Sequence, residues 1–479
     1  MDAPSKTIPI VPVPATSATP EEVSLYEISR KIYPRAVRGW FAGWRWALVW
    51  LTQIVYYGLP WLEWNGRQAV LFELAARKFY IFGLVFWPQD VIYLTVLLIL
   101  SAYALFLFTA VAGRLWCGYA CPQTVYTEIF LWVERKIEGD RVARIRLDGE
   151  PLSARKFGKK AAKHAVWAAI GLWTGITFVG YFTPIRELVP AIPFALGPWE
   201  TFWILFYGFA TYGNAGWMRE QVCKYMCPYA RFQSVMFDQD TLVITYDAGR
   251  GEPRGARSRK SDYKAAGRGD CVDCQICVQV CPTGIDIRKG LQYECIGCAA
   301  CIDGCNQVMD KMGYPHGLIR YASQNALTQH FGAKEMWRHV FRTRTLIYTG
   351  ILLAIVTAAS VSLALRNPLK VDVLRDRGAL ARESQAGLIE NVYRLQIMNT
   401  TEAPHAFTIR ASGLPGIAVV GVEQPVKIEG AAVQTVPIRL QAPADAAPPG
   451  PHKIEIHVQA IDDVSMKRDE RSTFILPRL

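Results

Sequence analysis

Eight of the chain's twelve cysteines lie between residues 271 and 305, and their spacing is the strongest chemical signal in the sequence. The pattern C-x2-C-x2-C-x3-C occurs twice in this stretch. In two-cluster bacterial ferredoxins this pattern holds two [4Fe-4S] clusters, and the fourth cysteine of each run binds the cluster of the other run. The pattern therefore assigns Cys271, Cys274, Cys277 and Cys305 to cluster 1, and Cys295, Cys298, Cys301 and Cys281 to cluster 2.

Structural zinc and a disulfide framework are the alternatives for this stretch. A structural zinc site takes four ligands in two C-x2-4-C pairs. This stretch instead has eight cysteines with a different spacing, and two four-cysteine clusters use all eight as ligands. Pro282 follows Cys281, where the ferredoxin pattern places a proline, while Asn306 stands at the equivalent position of the second run. The spacing favours iron and sulfur over zinc.

The remaining four cysteines form a second repeated motif, C-x-Tyr-x-C-Pro, at 117–122 and 223–228. If each motif is helical, a spacing of four places its two sulfurs on one face, and the two pairs could converge into a four-thiolate pocket. Thiolates select Cu(I), zinc or iron–sulfur chemistry, and Met218 and Met226 add thioether sulfur nearby. The alternative is that these cysteines are small buried apolar residues. The candidate metal ligands are Cys117, Cys121, Cys223 and Cys227.

Other built-in redox cofactors have little support in the sequence. A haem held by two histidines needs histidines within membrane spans, and of the seven histidines only His164 touches a predicted span. We therefore interpret His164 as a packing or interface residue. The chain also has no Gly-rich dinucleotide fingerprint, so we expect its electrons to come from a partner.

The composition places this redox chemistry at a membrane. Hydrophobic residues make up 51% of the chain, which contains fifteen tryptophans. The segment 69–87 is long and apolar, but Glu73, Arg77 and Lys78 lie near its middle. Charged side chains are energetically unfavourable in the hydrocarbon core, so we predict a re-entrant or interfacial helix there. Apolar runs of membrane length predict five transmembrane helices, at 44–62, 90–112, 164–182, 199–217 and 346–365.

The distribution of basic residues predicts the orientation. Residues 114–163 contain eleven Lys or Arg, whereas the loops 63–89 and 183–198 contain three and one. Because loops rich in basic residues remain in the cytoplasm, five spans place the N-terminus and the cysteine-rich insert there and residues 366–479 in the periplasm. The formal charge of +12 then follows from topology, and we expect no nucleic acid partner.

Two polar segments flank the membrane domain, which we place at 40–248. Residues 1–20 contain five prolines and lack the features of a signal peptide, so we predict that 1–39 is disordered and cytoplasmic. The linker 249–269, which opens the ferredoxin domain 249–345, is rich in Gly and Arg. We interpret its basic run as facing anionic lipid or following membrane topology. Its basic residues include Arg250, Arg254, Arg257, Arg259, Lys260 and Lys264.

The C-terminal segment 366–479 has a different character. It contains no cysteine, and short runs of alternating apolar and polar residues are separated by Pro, Gly and Asp. This pattern predicts an immunoglobulin-like β-sandwich without a disulfide. The fold class is thus a multi-domain membrane protein, with a helical bundle of five spans, a ferredoxin-like insert for two [4Fe-4S] clusters and a C-terminal all-β domain.

Taken together, these motifs resemble the CcoG family, also called FixG or RdxA. The resemblance rests on the two Cys-Pro motifs, the segment 269–288, the later Gly317–Tyr321 and the domain order, and it covers nearly the whole chain. It implies a multi-pass protein of the bacterial inner membrane that reduces Cu(II) to Cu(I) for the assembly of cbb3-type cytochrome c oxidase. The implied partners are oxidase assembly factors or a copper chaperone, an unidentified electron donor and the lipid bilayer. A homodimer is left open.

Two other functions remain open at this stage. One is a quinol-oxidising electron conduit to a redox partner, with a quinone site built from Tyr, Trp and Glu near 119–134. The other is a non-enzymatic scaffold for oxidase assembly, in which the β-sandwich binds the oxidase. Under the copper hypothesis, the four Cys-Pro cysteines bind copper, with Met226 as a further ligand.

Overall fold

The computed structural model describes residues 31–376, 381–384 and 387–477. Most of the predicted disordered tail, 1–30, lies outside the described residues. Residues 31–39 form no helix or strand, yet they are tied to the rest of the chain. The Arg35 amide donates to the Gln279 carbonyl over 2.8 Å, and the Ala36 amide donates to the Asp140 carboxylate over 3.2 Å.

Fifteen α-helices occur in the described part of the chain. The first eight are α1 (Trp40–Gly58), α2 (Val91–Ala112), α3 (Leu115–Tyr119), α4 (Pro122–Glu138), α5 (Arg141–Gly149), α6 (Ala154–Val179), α7 (Ile185–Ala191) and α8 (Pro198–Tyr212). The others are α9 (Pro228–Met236), α10 (Ala248–Gly251), α11 (Ile276–Gln279), α12 (Ala300–Met312), α13 (Gln324–Thr328), α14 (Ala333–Val340) and α15 (Thr343–Ala364). Two π-helical turns, Gly213–Met218 and Val222–Met226, separate α8 from α9.

Two helices among the described residues are long and apolar enough to cross a membrane: Pro88–Ala112, which contains α2, and α15. They match the predicted spans 90–112 and 346–365. Helices α1, α6 and α8 coincide with much of the other three predicted spans, whose crossing of a membrane stays a prediction. The pair α6 and α8 packs through glycines, because a Cβ on Gly171 would lie 2.7 Å from the Gly208 carbonyl oxygen.

The prediction of a re-entrant or interfacial helix at 69–87 is wrong. Strands β3 (Val70–Glu73), β4 (Lys78–Ile81) and β5 (Leu84–Phe86) form an antiparallel sheet there, next to the short pair β1 (Glu63–Trp64) and β2 (Arg67–Gln68). Glu73 pairs with Lys78 across the turn between β3 and β4, where Arg77 has a φ of 55°. The charges that argued against a membrane span therefore mark a turn between two strands.

The C-terminal domain confirms the predicted β-sandwich. One sheet has the order β12-β14-β10-β8 with β9 also paired to β10, and the other has the order β13-β11-β15-β16. Alternate residues of the long strands point into a shared core that includes Tyr393, Phe407 and Phe474. The strands are β8 (Leu369–Arg375), β9 (Arg382–Glu383), β10 (Leu388–Asn399), β11 (His405–Ser412), β12 (Ala418–Val420), β13 (Val426–Ile428), β14 (Val433–Pro443), β15 (Gly450–Ala460) and β16 (Lys467–Leu476).

The cysteine-rich insert is a small domain between α9 and α15. It contains α11 and α12 and is bounded by an antiparallel pair, β6 (Val243–Tyr246) and β7 (Ile319–Ala322). Its core is apolar and includes Ile302 and Met309 of α12, together with several of the cysteines. The insert packs on the helical domain through the N-terminus of α1, because the Phe41 and Ala42 amides donate to the Asp303 carboxylate of α12 over 3.3 and 2.7 Å.

Candidate redox site

The first group of cysteines surrounds a cavity of about 340 Å³. Two of them precede α11 in a loop, one lies within α11 and the fourth comes from α12, so the loop and both helices are needed to close the cavity. Apolar side chains such as Ile276 and Met309 complete the lining. The cysteines that line this cavity are Cys271, Cys274, Cys277 and Cys305, the four assigned to cluster 1.

The second group surrounds a neighbouring cavity of about 330 Å³. The cysteines that line it are Cys281, Cys295, Cys298 and Cys301, the four assigned to cluster 2, together with Cys277, which lines both cavities. The exchange of the fourth cysteine between runs is thus present in the fold. The ligand assignment itself stays a prediction that this placement supports.

The two cysteine runs share a backbone conformation as well as a spacing. The residues on either side of the second cysteine of the first run, Asp273 and Gln275, have φ values of 54° and 56°. Gly297 and Ala299 flank Cys298 in the second run and have φ values of 69° and 58°. Two left-handed residues around one cysteine curl each loop around its cavity, a geometry that turns backbone N–H groups toward anions.

The donor set fits two iron–sulfur clusters better than single metal ions. In the part of the chain that the structure describes, no group of three or more His, Cys, Asp or Glu side chains is arranged to hold one metal ion. The cysteines instead surround cavities with apolar walls. Burial raises the pKa of Cys277 to about 11 and of Cys305 to about 12, so metal binding must displace thiol protons.

The two Cys-Pro motifs are not continuous helices, so the condition under which each pair of sulfurs would share a helix face is not met. Cys117 lies in α3 and Cys223 in the second π-helical turn, but Cys121 and Cys227 precede α4 and α9 with extended backbones, at ψ of 129° and 113°. A residue before proline is disfavoured in the α conformation, and proline follows each of these cysteines. The four sulfurs therefore do not form a single ion site among the described residues.

The first Cys-Pro motif lies directly against the binding loop of cluster 2. A Cβ on Gly118 would lie 2.8 Å from both the backbone nitrogen and the Cα of Cys298. Cys117, Cys223, Cys298 and Cys301 belong to one hydrophobic cluster, in which Cys117 and Cys298 are buried. The structure thus brings one cysteine of each Cys-Pro motif next to cluster 2, and the dithiol motifs and the insert form one site.

A buried ion-pair network holds the two motifs in register. Glu134 of α4, downstream of Pro122, lies 3.0 Å from the Arg219 guanidinium, which lies just upstream of Cys223, and 2.8 Å from Arg144. Burial raises the pKa of Glu134, but the charges of Arg219 and Arg144 outweigh that effect and lower it to about 2. Gln123 adds a second link, because its side-chain amide donates to the Arg219 carbonyl over 3.0 Å.

The thiols of Cys117, Cys121 and Cys223 in the Cys-Pro motifs are fully or partly shielded from water. Burial raises the pKa of Cys223 to about 12 and also raises the pKa of Cys117 and Cys121. Such thiols stay protonated near neutral pH until a metal ion replaces the proton. Met226, the further copper ligand of the sequence analysis, is exposed at the end of its π-helical turn.

Arg45 and Tyr321 also lie against the cluster 2 loop, although the sequence analysis did not assign either residue to the site. Arg45 of α1 is buried close enough to Cys298 for their charges to interact, and its Nε has no hydrogen-bond partner among the described residues. The Tyr321 hydroxyl donates to the Gly297 carbonyl over 2.6 Å. His164 packs as expected, with Nδ1 2.9 Å from the Tyr212 hydroxyl and its ring stacked on Trp217.

Comparison with protein families locates the same modules. Residues 218–324 match a family described as a 4Fe-4S dicluster domain, and residues 94–139 match a 4Fe-4S binding domain. Residues 359–477 match a family described as an IG-like fold at the C-terminal of FixG. The nitrogen fixation protein FixG of Rhizobium meliloti is 40% identical over 425 residues, which cover 82% of this chain and 81% of FixG. The chain belongs to the FixG/CcoG family.

Several further proteins are similar to this chain. Protein RdxA of Cereibacter sphaeroides is 40% identical over 432 residues, covering 87% of this chain and 88% of RdxA. The ferredoxin-type protein NapH of Haemophilus influenzae is 24% identical over 233 residues, covering 45% of this chain and 68% of NapH. A crystal structure of a FixG-related protein from Vibrio parahaemolyticus is 25% identical and covers 24% of this chain and 100% of its own, with a TM-score of 0.22.

As a member of the FixG/CcoG family, the chain is an iron–sulfur protein of the electron-transfer, oxidoreductase-like type. Its two long apolar helices are compatible with a membrane protein. Each Cys-Pro motif lies within a match to a 4Fe-4S family, since 94–139 contains Cys117 and Cys121, and 218–324 contains Cys223 and Cys227. The two Cys-Pro motifs and the ferredoxin insert thus all fall within matches to 4Fe-4S families.

Proposed function

We propose that this protein is a cupric reductase that converts Cu(II) to Cu(I) at its Cys-Pro motifs. The observation that carries the proposal is the contact between the first motif and the loop of cluster 2, where Gly118 meets the Cys298 backbone. A redox centre in that cavity and a metal ion at the adjacent thiols would be separated by little more than packed side chains. The reaction consumes one electron for each copper ion and breaks no covalent bond.

The side chains at the motifs suit the product of this reaction. Cu(I) is a soft ion, and each motif offers it a pair of cysteine sulfurs, Cys117 with Cys121 and Cys223 with Cys227. Cys117 and Cys223 lie among apolar side chains. When bound, the two [4Fe-4S] clusters supply single electrons. The chain itself keeps bulk water from this site, because Val280 and Ile296 pack around Cys117 and Cys298. It also fixes the separation of the motifs through Glu134 and Arg219.

The remaining parts of the proposal concern location and partners. We place the protein in the bacterial inner membrane with five spans, the insert in the cytoplasm and the β-sandwich in the periplasm. Copper would pass to a chaperone or to an assembly factor of cbb3-type cytochrome c oxidase. The protein could act as a homodimer.

Alanine substitution of the Cys-Pro cysteines tests the copper chemistry. We expect the double variants Cys117→Ala/Cys121→Ala and Cys223→Ala/Cys227→Ala each to lower Cu(II) reduction at least about 10-fold, because a soft ligand pair is lost. Cu(I) production by dithionite-reduced protein, freed of excess dithionite, is measured with a chromogenic Cu(I) chelator. The absorbance and EPR spectra of the clusters serve to verify that iron is retained.

Tyr225→Phe is the matched control, because Tyr225 is exposed within the second motif and offers no sulfur. This variant should reduce copper at the normal rate. Normal Cu(II) reduction by both double-cysteine variants would remove the motifs from the mechanism. In a parallel assay, rapid reduction of the clusters by a quinol analogue, without any copper reduction, would favour the electron conduit. If the protein shows neither copper reduction nor reduction by the quinol analogue, a non-enzymatic assembly scaffold remains as its function.

A further inference from the structure

The basic linker 249–269 folds around the loop of cluster 1 rather than forming a loose tether. The Gly255 amide donates to the Cys271 carbonyl over 3.3 Å. The Arg257 guanidinium donates to the carbonyl oxygens of Gly269 over 2.8 Å and of Cys271 over 3.4 Å. Arg250 binds the carboxylate of Asp270, the residue before Cys271, over 2.5 Å. The linker is thus a structural wall of the cluster 1 site.

This wall is strongly positive and faces solvent. Residues 249–269 contain seven basic and two acidic side chains. Four of the basic residues are exposed and form no ion pair with another described residue, so their charge is available to a partner. We call these four residues, together with the exposed Arg254, the basic collar. Its members are Arg254, Arg259, Lys260, Lys264 and Arg268.

The collar lies beside the most accessible point of the redox unit. Of the twelve cysteines, Cys274 alone is exposed, and it belongs to the set around the cluster 1 cavity. The Arg254 Nε lies 4.0 Å from the carboxylate of Asp273, the residue before Cys274. The cavity of cluster 2 instead adjoins the Cys-Pro motifs. The two ends of the unit therefore differ, since one opens to solvent beside positive charge and the other is buried against the helical domain.

The collar is separated from the contact with the helical domain by the length of α12. Asp303, in the first turn of α12, binds the N-terminus of α1. The linker packs just beyond the last turn, where Arg257 donates to the Tyr314 hydroxyl over 3.1 Å and the Tyr263 and Tyr314 rings lie 4.6 Å apart. From Asp303 to Met312 the helix rises roughly 14 Å. This placement favours a protein in the cytoplasm over the lipid surface as the partner of the collar.

We propose that the basic collar is the docking surface for an acidic one-electron carrier protein, of the flavodoxin or ferredoxin type, which reduces this chain at the Cys274 side of cluster 1. In each encounter the reduced carrier loses one electron and this protein gains one, with no bond made and no proton moved. The charges steer the carrier toward the exposed cysteine and orient it there. The proposal requires electron transfer through the insert and holds whether or not copper is the final acceptor.

Charge reversal in the full-length protein tests the collar. The variant Arg259→Glu/Lys260→Glu/Lys264→Glu and the wild type are placed in nanodiscs of phosphatidylcholine, and an oxidised acidic plant-type ferredoxin is the binding probe. We expect the dissociation constant to rise at least about 10-fold at 50 mM ionic strength and the difference to shrink near 0.5 M, because screening removes the steering charges. Stopped-flow reduction by the reduced probe should slow in parallel.

The matched control reverses three exposed basic residues elsewhere, as Arg155→Glu/Lys334→Glu/Arg338→Glu, with the same change in net charge. This variant should bind the probe like the wild type. Equal losses of probe binding in the collar variant and the control variant would overturn the proposal. Unchanged probe binding by the collar variant, together with loss of its binding to phosphatidylglycerol vesicles, would also overturn it. Chemically reduced collar variant should still reduce Cu(II), so failure of the docking proposal and failure of the copper proposal give different results.

Discussion

Substitution of Gly118 by alanine is expected to lower Cu(II) reduction at least several-fold while both clusters stay bound. The added Cβ would lie 2.8 Å from three backbone atoms of Gly297 and Cys298, a distance that real Cβ contacts avoid. Neither partner can rotate away, because both sides of the contact are backbone. The Cys-Pro motif or the cluster 2 loop must therefore move, which lengthens the path of the electron and displaces the copper ligands from their productive arrangement.

The measurement separates displacement from loss of the cofactor. Iron content and the EPR spectrum of the reduced clusters should match the wild type, whereas Cu(I) production by the chemically reduced protein should fall. Gly158→Ala is the control, because a Cβ at that exposed position of α6 meets no atom within 4 Å. Normal copper reduction by Gly118→Ala, with its clusters intact, would contradict a path through this contact.

The cysteine spacing predicted the grouping of the eight insert cysteines because ferredoxin ligands are local in sequence. Cys305 lies on α12 and lines the cluster 1 cavity together with the first three cysteines of the first run. The ferredoxin pattern predicts this placement, because the fourth cysteine of each run binds the cluster of the other run. The contact of Gly118 with Cys298 could not be predicted in this way, since it joins residues 180 positions apart in two modules. Spacing describes ligands that share a loop, whereas tertiary packing decides which modules exchange electrons.

One sequence prediction and one conditional assumption did not hold, each for an identifiable physical reason. Average hydropathy over 69–87 cannot distinguish a short apolar strand from part of a helix, and the pairing of Glu73 with Lys78 becomes visible only when the turn is formed. The continuous helix through each Cys-Pro motif overlooked a local rule. Pro122 and Pro228 disfavour the α conformation at the cysteines before them, so the breaks at Cys121 and Cys227 could have been predicted.

The attachment of the insert to α1 has no counterpart in the sequence analysis. Helix α1 begins after Gly39, which has no side chain to cap the first amides, and Asp303 of α12 accepts from Phe41 and Ala42 instead. Gly39 leaves the required space, since a Cβ there would lie 2.4 Å from the Asp303 Cγ. A carboxylate at a helix N-terminus also interacts favourably with the helix dipole. One carboxylate between Cys301 and Cys305 thus joins the cluster domain to the helical domain.

Substitution of Asp303 by alanine is therefore expected to loosen the cluster 2 site. Asp303 is only 4% exposed, so the variant leaves the buried Ala42 amide and the partly buried Phe41 amide unpaired at a cost of about 1–3 kcal/mol. That cost corresponds to roughly 5- to 150-fold faster iron release from cluster 2 to a chelator, followed by cluster absorbance and EPR. Asp303→Asn should recover part of the loss, because its carbonyl oxygen can still accept from one amide.

Asp310→Ala provides the control for this experiment on the same helix. The Asp310 side chain is 64% exposed and pairs only with an exposed His316 among the described residues, so its removal should change stability by less than about 1 kcal/mol. Faster iron release in Asp303→Ala but not in Asp310→Ala would assign the effect to the helix cap. Equal release rates in Asp303→Ala and the wild type would mean that the insert holds its clusters independently of α1, and that the attachment serves only to set the distance to the Cys-Pro motifs.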